Sequence, residues 1–253
     1  MREATFYDDH PFDWTSNYTQ HEVETTLAPP LASFIEELPE NALVLDIGCG
    51  AGRVMSCLAG RKLRCIGLDL SGYSVRSMVA ATATFGIVAS NLHLPFPNEI
   101  ADRVISDGVI HHTDDPFVAF SECCRVLKSD GLLYLAVYKP GRHYQALYRF
   151  PGGVIRSLLK RGRIGKALVF SIMMPLYYLA RLAKSQGKTS WHGATNLFYD
   201  YFVTPIVAFL SRGKIEEWSL KCGVEIVNYS SNPNLNVHSF LVRKPTPKSP
   251  CQS

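Results

Sequence analysis

Leu43-Val44-Leu45-Asp46-Ile47-Gly48-Cys49-Gly50-Ala51-Gly52 is the stretch on which the fold turns. Four of its first five residues are apolar, and a run this short suits a strand buried on both faces. Three glycines at alternate positions then break it, as in a tight turn where backbone approaches a ligand closely. Arg53 to Gly60 is weakly helical, so the unit is strand, glycine loop, helix. Amides at the start of such a helix can receive an anionic or polar group.

The next unit, Arg64 to Ser71, is a second short apolar strand, and its acid, Asp69, lies seventeen residues past Gly52. An acid at that place can accept hydrogen bonds from both ribose hydroxyls of a nucleoside lying across the strand ends. The G-x-G-x-G rhythm with Asp46 before it matches neither the dinucleotide pattern G-x-G-x-x-G nor the phosphate loop with its Lys-Ser/Thr. A nucleotide dehydrogenase is disfavoured on that ground.

Val44 to Arg53 and Gly67 to Ser71 resemble the first two motifs of class I S-adenosylmethionine (SAM)-dependent methyltransferases. The resemblance continues in order through Leu94-Pro-Phe-Pro97, Ala101 to Ser106 and Arg125 to Gly131. It covers residues 40 to 140 and a final hairpin, and points to the methyltransferase type 11 branch with small-molecule and quinone methyltransferases. It implies an α/β fold: a Rossmann-like, seven-stranded, mostly parallel sheet with an antiparallel final strand, carrying a helical lid insertion. It implies SAM as cofactor, S-adenosylhomocysteine as product, and methyl transfer to a small, apolar or anionic acceptor in small-molecule biosynthesis. Other SAM reactions (aminocarboxypropyl transfer or rearrangement) and a non-catalytic SAM-binding role are the alternatives.

Carried over position by position, Asp46 and the loop Gly48, Cys49, Gly50 and Gly52 hold the amino-acid end of the cofactor, the glycines through their amides. Asp69 takes the ribose, and Leu70 with Ser90, Asn91 and Leu92 surrounds the adenine. Related enzymes carry an acid where Ser90 falls, and Ser90 or the amide oxygen of Asn91 can accept the same bond. Asp107, His111 and His112 follow the fourth strand at its carboxyl end and are the candidate catalytic residues. Quinone O-methyltransferases carry Glu-x-x-Glu-His here. Gly108 and His111 replace the two acids while His112 is retained, which argues against an inherited metal site. A histidine suits deprotonation of a hydroxyl because its ordinary pKa is about 6.5. The alternative is a histidine bonded to loop backbone.

The chain has 253 residues, 47% hydrophobic and 19% charged, a globular composition. Its polar start carries no apolar leader, and its seven cysteines show no metal spacing, so a cytoplasmic protein with reduced thiols is expected. The net charge of +4 hides an asymmetry. Between Asp130 and Asp200 there are eleven bases and no acid, leaving 15 bases against 22 acids elsewhere. Such separation concerns partners rather than fold.

Four regions follow: an N-terminal helical arm (1–40), the SAM-binding core (41–140), the insertion (141–212), and a helix with closing hairpin (213–245). Phe6, Tyr7, Phe12, Trp14 and Tyr18 in the arm form a wall of the substrate site or pack on the sheet. In the insertion the apolar run Ala167 to Ala180 is fourteen residues long and interrupted by Ser171 and Pro175. A spanning helix needs about twenty, so a membrane crossing is not expected. Its flanking bases suit either a lid over the substrate or an interfacial helix, a peripheral contact with anionic membrane through residues 141–190. Nucleic acid is not expected as a partner, because no RNA-binding module is present and bases alone bind nonspecifically. Asp200 is a salt-bridge partner or a substrate-facing acid, and His143 and His192 are weaker candidates.

Overall fold

The computed structural model describes residues 27–141, 143–186, 190–233 and 235–246. The aromatic residues of the arm lie outside them. Two compact units divide the chain, one running through Lys139 and resuming at Ala208, the other Pro140–Val207.

In the first unit, helix α1 (Pro29–Glu36) leads to β1 (Leu43–Ile47), α2 (Arg53–Leu58), β2 (Arg64–Asp69), α3 (Gly72–Thr82) and β3 (Phe85–Val88). Then come β4 (Ala101–Asp107), a 3-10 turn (Ile110–His112), α4 (Pro116–Val126) and β5 (Leu127–Tyr138). With β6 (Glu225–Ser230) and β7 (Val237–Arg243), the seven-stranded sheet has the order β3-β2-β1-β4-β5-β7-β6 and is parallel except for β7, which is antiparallel to both neighbours. The chain builds outward from β1 to β3 and then crosses back to place β4 against β1. The crevice outside the carboxyl ends of β1 and β4 is therefore the topological switch point, where ligands bind in open α/β sheets.

Side-chain alternation makes two apolar layers. Leu43, Leu45 and Ile47 of β1 face the layer that holds Val104, Phe120, Leu133, Leu135 and Trp218. Val44 faces the other, with Leu31, Met55, Met78, Ile105 and Tyr134. Asp46 shares the parity of Val44, and Asp107 that of Ile105, so both acids point to the second layer. Helix α4 starts as its sequence predicts. Pro116 occupies the first turn, and the Asp115 carboxylate accepts from the amides of Phe117 (3.0 Å) and Val118 (3.1 Å), a cap worth about 1 kcal/mol.

Strand β5 begins earlier than the turn-like Lys128-Ser129-Asp130-Gly131 suggests. Ala101 pairs with Leu127 and Arg103 with Leu132, so the four residues form an irregularity inside the strand, with Asp130 at φ 62°. The segment from Ala208 belongs to this unit. Ala208 N donates to His111 O (2.7 Å), Leu210 N to Tyr138 O (2.8 Å), and Leu210 is buried. Helix α9 (Arg212–Cys222) and the hairpin β6 (Glu225–Ser230) and β7 (Val237–Arg243) complete the unit.

The second unit is helical: α5 (His143–Arg149), α6 (Pro151–Leu159), α7 (Arg163–Lys184) and α8 (Trp191–Phe198), which runs on as a π turn, Tyr199–Val203. Ser171 and Pro175 do not break α7. A π turn over Val169–Met173 precedes Pro175 and accommodates the residue that cannot donate. The result is a 22-residue helix, long and apolar enough by length and composition to cross a membrane. That corrects the expectation of a run too short to do so. Tyr144 Oη donates to Asp200 O at 2.8 Å, inside this unit.

Candidate cofactor site

The glycine turn is drawn tight by its own backbone. Gly48 N and Cys49 N both donate to Leu68 O (2.6 and 3.0 Å), which ties the turn to the end of β2. Gly50 N donates to Asp69 Oδ2 at 2.9 Å, and Gly52 N to Cys49 O at 3.0 Å. The amides of Gly48, Gly50 and Gly52 thus have partners within the fold. The turn also has a steric need for glycine. Gly48 and Gly52 have φ of 76° and 96°, and a Cβ on Gly48 would lie 2.4 Å from both methyls of Val109. On Gly52 it would lie 2.7 Å from Met78 Cγ.

Three carboxyl groups gather at the carboxyl ends of adjacent strands: Asp46 of β1, Asp69 of β2 and Asp107 of β4. Asp46 is 2% exposed, and its Oδ2 has no hydrogen-bond partner among the described residues. Burial pushes its pKa up to about 8, aided by the carboxylates of Asp107 and Asp69 and opposed by the guanidinium of Arg53. Arg53, on the first turn of α2, pairs with Asp107. Asp69 is held by two amides, Ser71 N on Oδ1 at 2.8 Å and Gly50 N on Oδ2. Burial, then Asp46 and Asp69, raise the Cys49 thiol well above its ordinary pKa, which disfavours the thiolate.

On the other side of Asp69, Ala89 N donates to Asp69 O (3.0 Å) and brings the segment after β3 alongside. Ser90 Oγ accepts from Leu92 N (3.2 Å), and Ser90 O from His93 N (3.2 Å), a turn that presents Ser90, Asn91 and Leu92 half-buried. Leu70 is half-buried at the end of β2.

His111 is fully buried, and neither ring nitrogen has a hydrogen-bond partner among the described residues. Its ring lies 4.1 Å from that of Tyr138 and 4.2 Å from that of His112. Burial, and then His112 and His238, hold its pKa well below the usual histidine range. It is therefore a neutral, weakly basic group rather than one bonded to loop backbone through its side chain. His112 is half-buried and meets Tyr138 edge-on at 5.6 Å. His238 closes the cluster from β7. Its Nε2 donates to Leu210 O (2.9 Å), so Nδ1 accepts from Tyr229 Oη (3.3 Å), and burial lowers its pKa to about 4. Among the described residues no group of three or more His, Cys, Asp or Glu side chains is placed to hold a metal ion.

Sequence reasoning misses Arg53, Val109, Tyr138 and His238. Only Arg53 carries a signal, a lone base directly after the last glycine.

Residues 45–135 match the sequence profile described as a methyltransferase domain. That match places a methyltransferase domain in the core of the chain. Human "Probable tRNA methyltransferase 9B" is 32% identical over 46% of this chain and 26% of its own length. A "Probable S-adenosylmethionine-dependent methyltransferase" of Mycolicibacterium smegmatis is 34% identical over 39% of this chain and 41% of its own. The chain thus spans a quarter to two-fifths of the length of these relatives. A solved SAM-dependent methyltransferase from Methanosarcina mazei shares the fold, with a TM-score of 0.56 and 16% identity over 87% of this chain and 98% of that one. The human relative is named for tRNA, which contrasts with the expectation of no nucleic-acid partner.

The residues of this methyltransferase core fit SAM, the cofactor of the family. Three carboxyls against one guanidinium suit a ligand carrying a sulfonium and an ammonium. The orphaned Asp46 Oδ2 asks for a donor, and the glycines let the turn pack tightly on Val109 and Met78 beside it.

Proposed function

We propose that the protein transfers a methyl group from SAM to a small apolar or anionic acceptor. The observation that carries this reading is the set Asp46, Asp69 and Asp107–Arg53 around a Cβ-free turn at the switch point of the sheet. Bound SAM supplies an electrophilic methyl on a sulfonium, so the protein's task is alignment and exclusion of water. Asp46 accepts from the amino-acid end, with Cys49 packed behind the turn. Asp69, pre-positioned by the amides of Gly50 and Ser71, accepts from the ribose hydroxyls. Leu70 and the Ser90–Asn91–Leu92 turn flank the adenine. Arg53 keeps Asp107 neutralised, which limits the charge pressing on Asp46. For a hydroxyl acceptor, half-buried His112 takes the proton, while fully buried His111 and Tyr138 orient it.

A tRNA acceptor is the second reading, favoured by the name of the human relative and the eleven bases between Asp130 and Asp200. It is weaker because that likeness covers under half the chain, and bases alone confer only salt-sensitive, nonspecific affinity. The test is incubation of the full chain with methyl-labelled SAM and a cell extract, then separation of organic-soluble, small aqueous and tRNA fractions. Label in a small-molecule fraction with release of S-adenosylhomocysteine is expected. Label in tRNA overturns the acceptor in favour of the second reading, and no S-adenosylhomocysteine overturns catalysis.

A further inference from the structure

Helix α7 of the second unit has one face with partners and one that has none among the described residues. Inward, Val169 and Met174 are buried. Phe170 meets Tyr199 at 5.9 Å, Tyr177 meets Phe198 and Phe202 at 5.5 Å, and Tyr178 meets Trp191 at 5.0 Å. Outward stand Ile164, Leu168, Ile172, Leu176 and Leu179, which are 83, 42, 53, 61 and 57% exposed. Their spacing of four, four, four and three residues keeps them on one helical face. The stripe is about 22 Å long at 1.5 Å per residue. Arg163 and Lys166 stand at one end and Lys184 at the other, all exposed, with no acid anywhere between Asp130 and Asp200.

Beside it in the same unit, Phe150 and Val154 of the α6 region are 72% and 58% exposed. They line an open groove of about 460 Å³ with Arg149 and Arg161 among its other walls. Two guanidiniums over an apolar floor repeat the pattern of α7, with aliphatic surface in the middle and cations at the margin.

We infer that this face of the helical unit docks on the surface of an anionic phospholipid bilayer, with α7 lying in the plane of the interface. Exposed aliphatic side chains enter the acyl boundary, and flanking Lys and Arg meet lipid phosphates. Charge complementarity and the apolar stripe act together here. RNA would use the cations but leave five aliphatic side chains in water, and it is read by stacking on aromatic faces. The aromatic partners of Tyr177 and Tyr178 cover the inward face, which leaves a one-sided apolar stripe of the kind that lies in an interface plane.

The test is flotation of the purified full chain with vesicles of phosphatidylcholine alone and with one-third phosphatidylglycerol. The protein should float with the anionic vesicles, stay down with the neutral ones, and be released by high salt. The variant Leu168→Ser/Ile172→Ser/Leu176→Ser changes only exposed positions. It should keep its circular dichroism spectrum and lose vesicle binding by more than about tenfold, given the apolar area withdrawn. Lys166→Glu/Lys184→Glu, which leaves the stripe intact, gives an independent loss. The inference is overturned if the native chain stays down with anionic vesicles, or if both variants float as it does. Salt-resistant insertion into neutral vesicles overturns it in favour of a crossing helix, and displacement from anionic vesicles by stoichiometric tRNA in favour of RNA. The assay contains no SAM, so its failure leaves the methyltransferase reading standing, and the converse also holds.

Discussion

Asp46 gives a direct physical test of the cofactor reading. Its carboxyl is buried, one oxygen lacks a partner among the described residues, and its pKa is pushed up to about 8. An acid of that pKa is ionised in only about a tenth of molecules at pH 7. A ligand ammonium that donates to Asp46 needs the ionised form, so binding at pH 7 should release about 0.9 proton per site. Ionising the group lowers the affinity by about 1.4 kcal/mol, or roughly tenfold, relative to a site already charged. Calorimetric titration with SAM in buffers of different ionisation enthalpy reads that proton as the slope of observed enthalpy. The measurement belongs at pH 7 or below, where a ligand α-amino group with a pKa of about 7.7–8.0 stays charged. Asp46→Asn should flatten the slope and weaken binding by about 1.5–3 kcal/mol, the range for hydrogen bonds to charged groups. The linkage has a second face. Without ligand, the folded protein keeps a proton that the unfolded chain gives up above pH 3.8. Asp46 therefore progressively weakens the fold as pH rises from about 4 toward 8, and Asp46→Asn should raise the unliganded melting temperature at pH 8. Tight SAM binding by the native chain with no buffer dependence would refute the assignment of Asp46.

Asp69→Ala should weaken SAM binding by about 1–3 kcal/mol by removing charge-assisted acceptors, and unchanged affinity in calorimetry would remove Asp69 from the site. Gly48→Ala should destabilise the fold by more than the roughly 1–2 kcal/mol of a left-handed non-glycine residue, because its Cβ also meets Val109 at 2.4 Å. Adding Val109→Ala removes both methyls but leaves its Cβ at 2.9 Å, so it should recover only part of the steric loss and none of the backbone part, as read by denaturant unfolding. Acid should destabilise the core through its histidines. The folded pKa of His238 is depressed to about 4 and that of His111 lies well below the ordinary value, so their stabilising share is present above about 6.5 and is lost as pH falls toward 4. His238→Asn should shallow that decline in a melting-temperature series from pH 7 to 4, and an unchanged profile would count against the depressed pKa.

What the sequence discloses here is what neighbouring residues decide. The all-apolar neighbours of Asp46 in β1 are local, and the structure has that strand where the sequence places it; the Asp115-Pro116 cap and the edge strand Phe85–Val88 are likewise written in adjacent residues. What the glycine amides donate to is not local, because Leu68 O and Asp69 reach them only once β2 lies beside β1. The Arg53–Asp107 pair, 54 residues apart, likewise needs β4 against β1. His111 also meets residues far along the chain, since Ala208 N returns to its carbonyl from beyond the helical unit, a contact that no motif around His111 encodes. Helix α7 marks a different boundary. Helical spacing in a sequence states that an apolar face exists, and for α4 the cover is the sheet, since Phe120 and Cys123 are fully buried. The same spacing at Ile164, Leu168, Ile172, Leu176 and Leu179 ends at solvent. Period alone does not separate a helix covered by the core from one that faces solvent; the exposure of the stripe does.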